Sequence, residues 1–296
     1  MQKTLDLAIK HYEKGAGGYL ANNGETYDNY LSNKSDNNEW KAFKEDMKNN
    51  YPSAYEQYGK GSGGEMKEGK NYPPKMASYG SSSRMIFNLC KHLCKSGFQF
   101  EYKLPTYVGG TANLDGFMQK NDRYIFVEAK CREPYGEKSH MIDDEYEGIF
   151  DFINTSKCNL GMDYRKEGKK IETAFYVGDI EIWSYDIKQM ICHLLGIAVK
   201  FLNNPTDKKI SFLYLCYNPT LIEIGKKKKR DVIVDVYGDM CKECHIINHK
   251  ELFRTIMLYL YEEIKDNKAT LDDINRMADN FEFTLCDQSN FLSLLN

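Results

Sequence analysis

The apolar positions of the chain change period several times, and each change marks an element. Ile86, Leu89 and Leu93 recur at helical spacing behind three serines, Ser81 to Ser83. A serine at a helix start accepts an N–H that the first turn leaves orphaned, and Gly97 suits the residue that ends one. The spacing predicts a helix over about 83–95. Three strand-like runs follow. They are 98–107, cut by Pro105; 113–119, after Gly109-Gly110; and 123–130, after an Asn121-Asp122 turn. Ile187, Met190, Ile191, Leu194, Leu195 and Ala198 then form a full apolar stripe, which predicts a second helix over 185–202. The run from Ile210 to Tyr217 is almost continuously apolar, as expected of a strand covered on both faces. Asp231 to Tyr237 alternates around Ile233 and Val236 and predicts an edge strand. Asn248 with Glu251 three residues later has the capping-box form, opening a helix through about Ile264.

The remaining stretches are less regular. Residues 1–75 are polar, with a glycine cluster from Gly59 to Glu65 and a Pro73-Pro74 stop, and read as an N-terminal extension wrapping a core. The stretch from Cys131 to Lys170 resists assignment and is too long for a simple connection, which marks a functional or partner-contacting insertion. The expected organisation is an extension over 1–75, a core over 76–224, and a C-terminal strand and helices over 225–296 packed on that core. The class is α/β, in the order helix, three-strand meander, helix, strand, with a mixed central sheet.

Composition narrows the setting. A length of 296 residues supports a sizeable core without help from disulfides or metal. The 40 basic residues nearly balance the 43 acidic ones, which excludes a polycation or an acidic tail protein. Nine cysteines are an odd number, and the first residues are too polar for a secretory leader, so free thiols in a reducing, cytoplasmic setting are expected. No apolar run approaches the ~20 residues of a spanning helix, so no membrane partner is expected.

The strongest chemical signal is Asp115 followed by Glu128-Ala129-Lys130. On a strand over 124–130, Tyr124, Phe126, Glu128 and Lys130 share one face. A strand this apolar is central and dry, and burying a carboxylate and an ammonium at its end costs several kcal/mol unless they are paired or meet a metal. If Asp115 lies on the neighbouring antiparallel strand, its carboxylate converges with that of Glu128, and a hard dication relieves their repulsion. A plain ion pair between Glu128 and Lys130 is the simpler alternative.

The stretch NLDGF…RYIFVEAK, set between a preceding helix and a following helix–strand pair, resembles the PD-(D/E)xK nuclease superfamily of restriction endonucleases, phage-type exonucleases and Holliday-junction resolvases. The likeness covers roughly 81–217, with Leu114 where the family usually has proline. It implies a restriction-endonuclease-like core and a metal-dependent nuclease acting on DNA, of restriction or defence type, with a homodimer left open. It implies that Asp115 and Glu128 bind Mg²⁺, with Mn²⁺ as a substitute, and that the Ala129 carbonyl is a further ligand. Lys130 would orient or deprotonate the attacking water. The family's second helix often presents Gln or Lys to the site, which makes Gln189 and Lys188 candidates for positioning water or a phosphate. His193, one turn from Gln189, reads as a half-buried neighbour, and a solvated helix face explains the pair as well. The family's fourth acidic ligand usually lies on the first helix, which has no Asp or Glu here. Glu101 and Glu65 are the alternatives, against the default that glutamates are exposed.

Two further motifs stand outside this set. Lys226, Lys227, Lys228, Lys229 and Arg230 form a basic run between two strand-like segments, able to neutralise phosphates or to be a solvated hairpin tip. Cys241-Lys242-Glu243-Cys244-His245 has the spacing of haem attachment and, with His249, of a zinc site. Without a leader or a second CxxC, ordinary reduced thiols are expected there. The reading from a different class is a non-catalytic nucleic-acid-binding module that keeps the nuclease fold; a third is an interaction domain.

Overall fold

The computed structural model describes residues 39–61, 64–67, 74–77, 81–131, 141–168, 170–218 and 227–295. Helices α1 (Glu39–Asn50) and α2 (Pro52–Gly59) come first, with Pro52 at a first-turn position where its missing N–H is not needed. Helix α3 (Ser82–Cys90) starts where the Ser81 side chain accepts the Arg84 N–H at 3.2 Å. It tightens into a 3₁₀ segment, Lys91–Ser96, that Gly97 ends at φ 87°. The two pieces together fill the predicted helix. Strands β1 (Gln99–Pro105), β2 (Thr111–Gln119) and β3 (Arg123–Lys130) form the expected antiparallel meander.

From Met141 onward, the described residues of the unassigned stretch after β3 are structured. Strand β4 (Met141–Asp143), helix α4 (Glu147–Thr155) and strands β5 (Gly161–Glu167), β6 (Lys170–Val177) and β7 (Ile180–Ile182) follow one another. The strands make a second antiparallel sheet in which β6 pairs β4, β5 and β7. Helix α5 (Ile187–Asn203) and strand β8 (Lys209–Cys216) then match the predicted stripe and apolar run.

The C-terminal part departs from expectation. The predicted edge strand at 231–237 lies inside helix α6 (Lys227–Ile246). Local alternation was the wrong guide there, because Tyr237, Met240, Cys241 and Cys244 recur at helical spacing and pack on the core. Helix α7 (His249–Glu263) has Asn248 as its cap, accepting the Glu251 N–H at 3.1 Å. Helix α8 (Leu271–Asp279), strand β9 (Phe281–Cys286) and helix α9 (Phe291–Leu295) complete the chain. The C-terminal strand at the edge of the sheet is instead β9, opposite the other edge at β1.

The chain is α/β, with a mixed central sheet in the order β1-β2-β3-β8-β9. The meander is antiparallel, whereas β3–β8 and β8–β9 are parallel and joined through helices. Apolar cores cover both faces. Phe126, Phe212 and Tyr214 meet α5 and α7 on one side, while Val127, Leu213 and Leu215 meet residues of α1, α3 and α9 on the other. Each fully buried phenylalanine contributes about 1.5–3 kcal/mol. Helix α5 comes so near β1 and β2 that a Cβ on Gly196 would stand 2.8 Å from the Ala112 Cβ. Among the described residues no helix is long and apolar enough to cross a membrane.

Candidate active site

Strand β3 is the middle strand of the sheet, and every residue from Ile125 to Lys130 is buried. Its alternation turns Glu128 and Lys130 toward α5, as Phe126 is turned. Both remain buried, at 3% and 5% exposure, and the structure answers this by pairing them. Lys130 Nζ stands 2.9 Å from Glu128 Oε1 and donates to Gln189 Oε1. Asp186 Oδ2 lies 4.0 Å from the same ammonium.

The start of α5 is fixed so that Gln189 reaches Lys130. Asp186 caps the helix by accepting the Gln189 N–H at 3.1 Å. The two residues before it are held in turn by Glu243 of α6. One Glu243 oxygen accepts the N–H of Ser184 and the N–H of Tyr185, each at 2.6 Å.

Asp115 reaches the same end of the sheet from β2. Pairing of β2 with β3 begins at Gly116↔Val127, so Asp115 stands beside Glu128 just past the last paired residues. Its Oδ2 accepts the Ala129 N–H at 2.7 Å, in place of a ladder partner. The Lys130 carbonyl bonds toward the β8 side, accepting the Tyr217 N–H at 2.8 Å. Carbonyls alternate along a strand, so the Ala129 carbonyl faces the Asp115 side. Pairing of β1 with β2 also skips this point, running Phe100↔Gly116 and resuming at Tyr102↔Leu114. Glu101, in the gap, has φ 50°. Across it the faces swap: Phe100 packs with the α3 side and Tyr102 with the α5 side. The kink places Glu101 opposite Asp115.

Glu65 joins this group. It is buried, at 7% exposure, and so departs from the exposed default. Lys75 Nζ is 3.7 Å from its Oε1, whereas its Oε2 is buried without a hydrogen bond. The charges interact strongly. Burial, with Glu128 and Glu101 nearby, holds the Asp115 carboxyl well above the usual range. Burial and Glu65 push Glu101 up to about 7. Burial also opposes charge on Glu128, but Lys130 and His193 prevail and hold it at about 2. The charged form is thus favoured on Glu128, whereas Asp115 and Glu101 are biased toward their protonated forms.

His193 was the residue that sequence underrated. It is buried at 2% exposure, and its Nε2 lies 2.9 Å from Glu128 Oε2. This close contact with a buried imidazole is one of the causes that keep Glu128 charged. Its signal in sequence was its spacing, one turn beyond Gln189.

Among the described residues, no three His, Cys, Asp or Glu side chains stand close enough together to hold a metal ion as placed. Clustered carboxylates are nevertheless the donor type that a hard dication takes. Glu128 and Glu101 both disfavour charge on Asp115, Glu65 and Glu128 disfavour it on Glu101, and Glu65 Oε2 is a buried acceptor without a hydrogen bond.

The other candidates lie elsewhere. Lys188 is half-buried on α5 beside Gln189. Lys227 to Arg230 form the first turn of α6 and not a hairpin tip, and Lys226 lies outside the described residues, as do those four side chains. The Cys241–His245 motif is helical. Cys244 is buried, with its thiol pushed far up by burial, and His245 Nδ1 contacts the Cys241 carbonyl at 2.6 Å. His249 stacks on Phe283 at 3.6 Å and meets the Tyr185 hydroxyl at 3.1 Å. In comparisons with known proteins, no family model, curated protein or solved structure matches the chain.

Proposed function

We propose that the chain is a metal-dependent nuclease of the PD-(D/E)xK kind that hydrolyses phosphodiester bonds in DNA. The observation that carries this reading is the meeting of Asp115, Glu128 and Lys130 at one end of adjacent central strands, with Gln189 on the ammonium. The restriction-endonuclease-like order supports it too: an antiparallel meander, then a helix, then a strand parallel to the third.

Asp115, Glu128 and the Ala129 carbonyl would hold the ion. When bound, it supplies a Lewis acid for the phosphate and lowers the pKa of a coordinated water. Lys130 cannot be a ligand, because an ammonium has no lone pair to give. Its Nζ, fixed between Glu128 and Gln189, is placed to hold the attacking water and to stabilise developing charge. Gln189 orients the ammonium, and Asp186 and Glu243 set the helix start that carries Gln189. Lys188 and the basic run at Lys226–Arg230 would contact the phosphate backbone.

The test is digestion of plasmid and linear duplex DNA with Mg²⁺ or Mn²⁺, by wild type and Lys130→Ala, with filter binding in Ca²⁺. Wild type is expected to cut, and the variant to bind without cutting. Binding without cleavage by wild type would replace this reading with the non-catalytic nucleic-acid-binding module.

A further inference from the structure

We infer that Trp183 is a stacking platform for a nucleobase, and that the site therefore takes DNA whose bases are unpaired beside the cut. This substrate class rests on the nuclease reading above and goes beyond what the carboxylate motif gives.

Trp183 follows β7, where alternation divides side chains between core and solvent. Ile182 is 2% exposed in the core that α5 shares. Trp183 is 61% exposed, the most of any large apolar side chain among the described residues. An indole carries a large apolar surface and is ordinarily well covered, so one left in water beside a site has the form of a contact residue.

The ring is carried on a fixed backbone. The next two N–H groups, those of Ser184 and Tyr185, both donate to Glu243, each at 2.6 Å, and Tyr185 is itself buried. Asp186, three residues beyond Trp183, caps α5 and lies 4.0 Å from the Lys130 ammonium. Three residues span at most about 11 Å. At roughly 3.4 Å per stacked nucleotide, a base about one to three positions from a phosphate held at Lys130 reaches the indole. A platform already fixed in place loses little conformational freedom on binding.

Charge sorts the two ends of a nucleotide. Asp179 and Glu181, both exposed, make the turn before Trp183 acidic, which disfavours a phosphate there. Lys188, half-buried in the first turn of α5, favours one. The backbone therefore belongs over α5 and the base over the indole. Stacking needs an open base face. Inside an intact duplex both faces are covered by neighbours, so the platform serves a base that is unpaired or turned out of the stack.

The experiment titrates the full chain in Ca²⁺ with a single-stranded oligonucleotide and with a relaxed, covalently closed circular duplex. Tryptophan emission reports on Trp183, because the chain's other tryptophan, Trp40, is buried. The single strand is expected to quench the emission and the circle to leave it unchanged. Trp183→Ala is expected to bind the single strand about tenfold more weakly, and Trp183→Phe, which keeps a stacking ring, within about threefold of wild type. The wild-type emission needs no variant, so a poorly folding variant does not obscure the result. No binding of the single strand, binding without quenching, equal quenching by the circle, or wild-type affinity in Trp183→Ala would each overturn the inference. Emission that shifts with protein concentration and not with DNA would assign the indole to a second copy of the chain, and would overturn it too. Cleavage that ignores Trp183 would sink it while sparing the nuclease reading. Quenching by the single strand with no cleavage of any nucleic acid would do the reverse.

Discussion

Asp115 Oδ2 accepts the Ala129 N–H at 2.7 Å, so a carboxylate from β2 closes the hydrogen bond that its backbone has left open. Asp115 therefore has a structural part as well as a proposed metal-binding one, and two substitutions separate them. Asparagine keeps a side-chain oxygen that can accept the N–H; alanine does not. Asp115→Ala is expected to cost about 1–2 kcal/mol in urea unfolding, from one orphaned buried donor. Asp115→Asn should unfold within about 0.5 kcal/mol of wild type, since the bond is retained. Both should lose metal binding by calorimetry. Equal stability losses would show that the bond contributes little.

Glu128 and Lys130 are a buried pair, and their removal is expected to be strongly non-additive. Glu128→Ala removes the nearest counter-charge from an ammonium at 5% exposure and leaves it Asp186 at 4.0 Å, which costs about 3–5 kcal/mol. Lys130→Met strands a carboxylate held at about 2, at a comparable cost. The double variant strands neither charge and should recover at least half of either single loss. Chemical denaturation of all four proteins at pH 7 measures the coupling. Additive losses would mean that the pair is not the unit of stability here.

Much of this site was legible from residue spacing. The meander, α5 and β8 follow from periodicity, and the face shared by Glu128 and Lys130 follows from strand alternation. What was not legible depends on tertiary contacts. The alternation of 231–237 lies in a helix, because the helical stripe of Tyr237, Met240 and Cys244 meets the core. Nothing local marks Glu101 as the residue that takes a positive φ, since the kink arises where two strands swap faces. Glu65 and His193 were visible as residues, but their burial comes from elements distant in sequence. Glu243 was hidden inside a motif that draws attention to its cysteines, although it is the carboxylate that clamps Ser184 and Tyr185.

Gly116, next to Asp115, is required by close approach. A Cβ there would stand 2.4 Å from the Phe98 ring tip, a contact that forces the ring aside. Gly116→Ala is expected to cost about 1–3 kcal/mol through overpacking. Phe98→Leu alone should cost a similar amount as a cavity, while the double variant should cost less than the sum of the two. Thermal unfolding of the three variants checks this. A Gly116→Ala protein as stable as wild type would mean that β1 moves freely over β2.

Glu101 makes a pH dependence that can be assigned by one substitution. Its carboxyl is raised from the ordinary value of about 4.3 to about 7, by burial first and by Glu65 second. The folded chain therefore holds this proton more tightly than the unfolded chain. The sign follows from that difference: its stabilising contribution is complete below the ordinary value and is lost as pH rises through about 7. Wild type in EDTA is expected to lose Tm between about pH 5 and pH 8. Glu101→Gln cannot ionise, so its Tm should fall less over the same window and exceed that of wild type at pH 8. Added Mn²⁺ should flatten the wild-type curve, because a bound cation stabilises the ionised carboxylates nearby. Differential scanning calorimetry at four or five pH values measures the slopes. If Glu101→Gln and wild type lose Tm in parallel from pH 5 to pH 8, the titrating group is not Glu101.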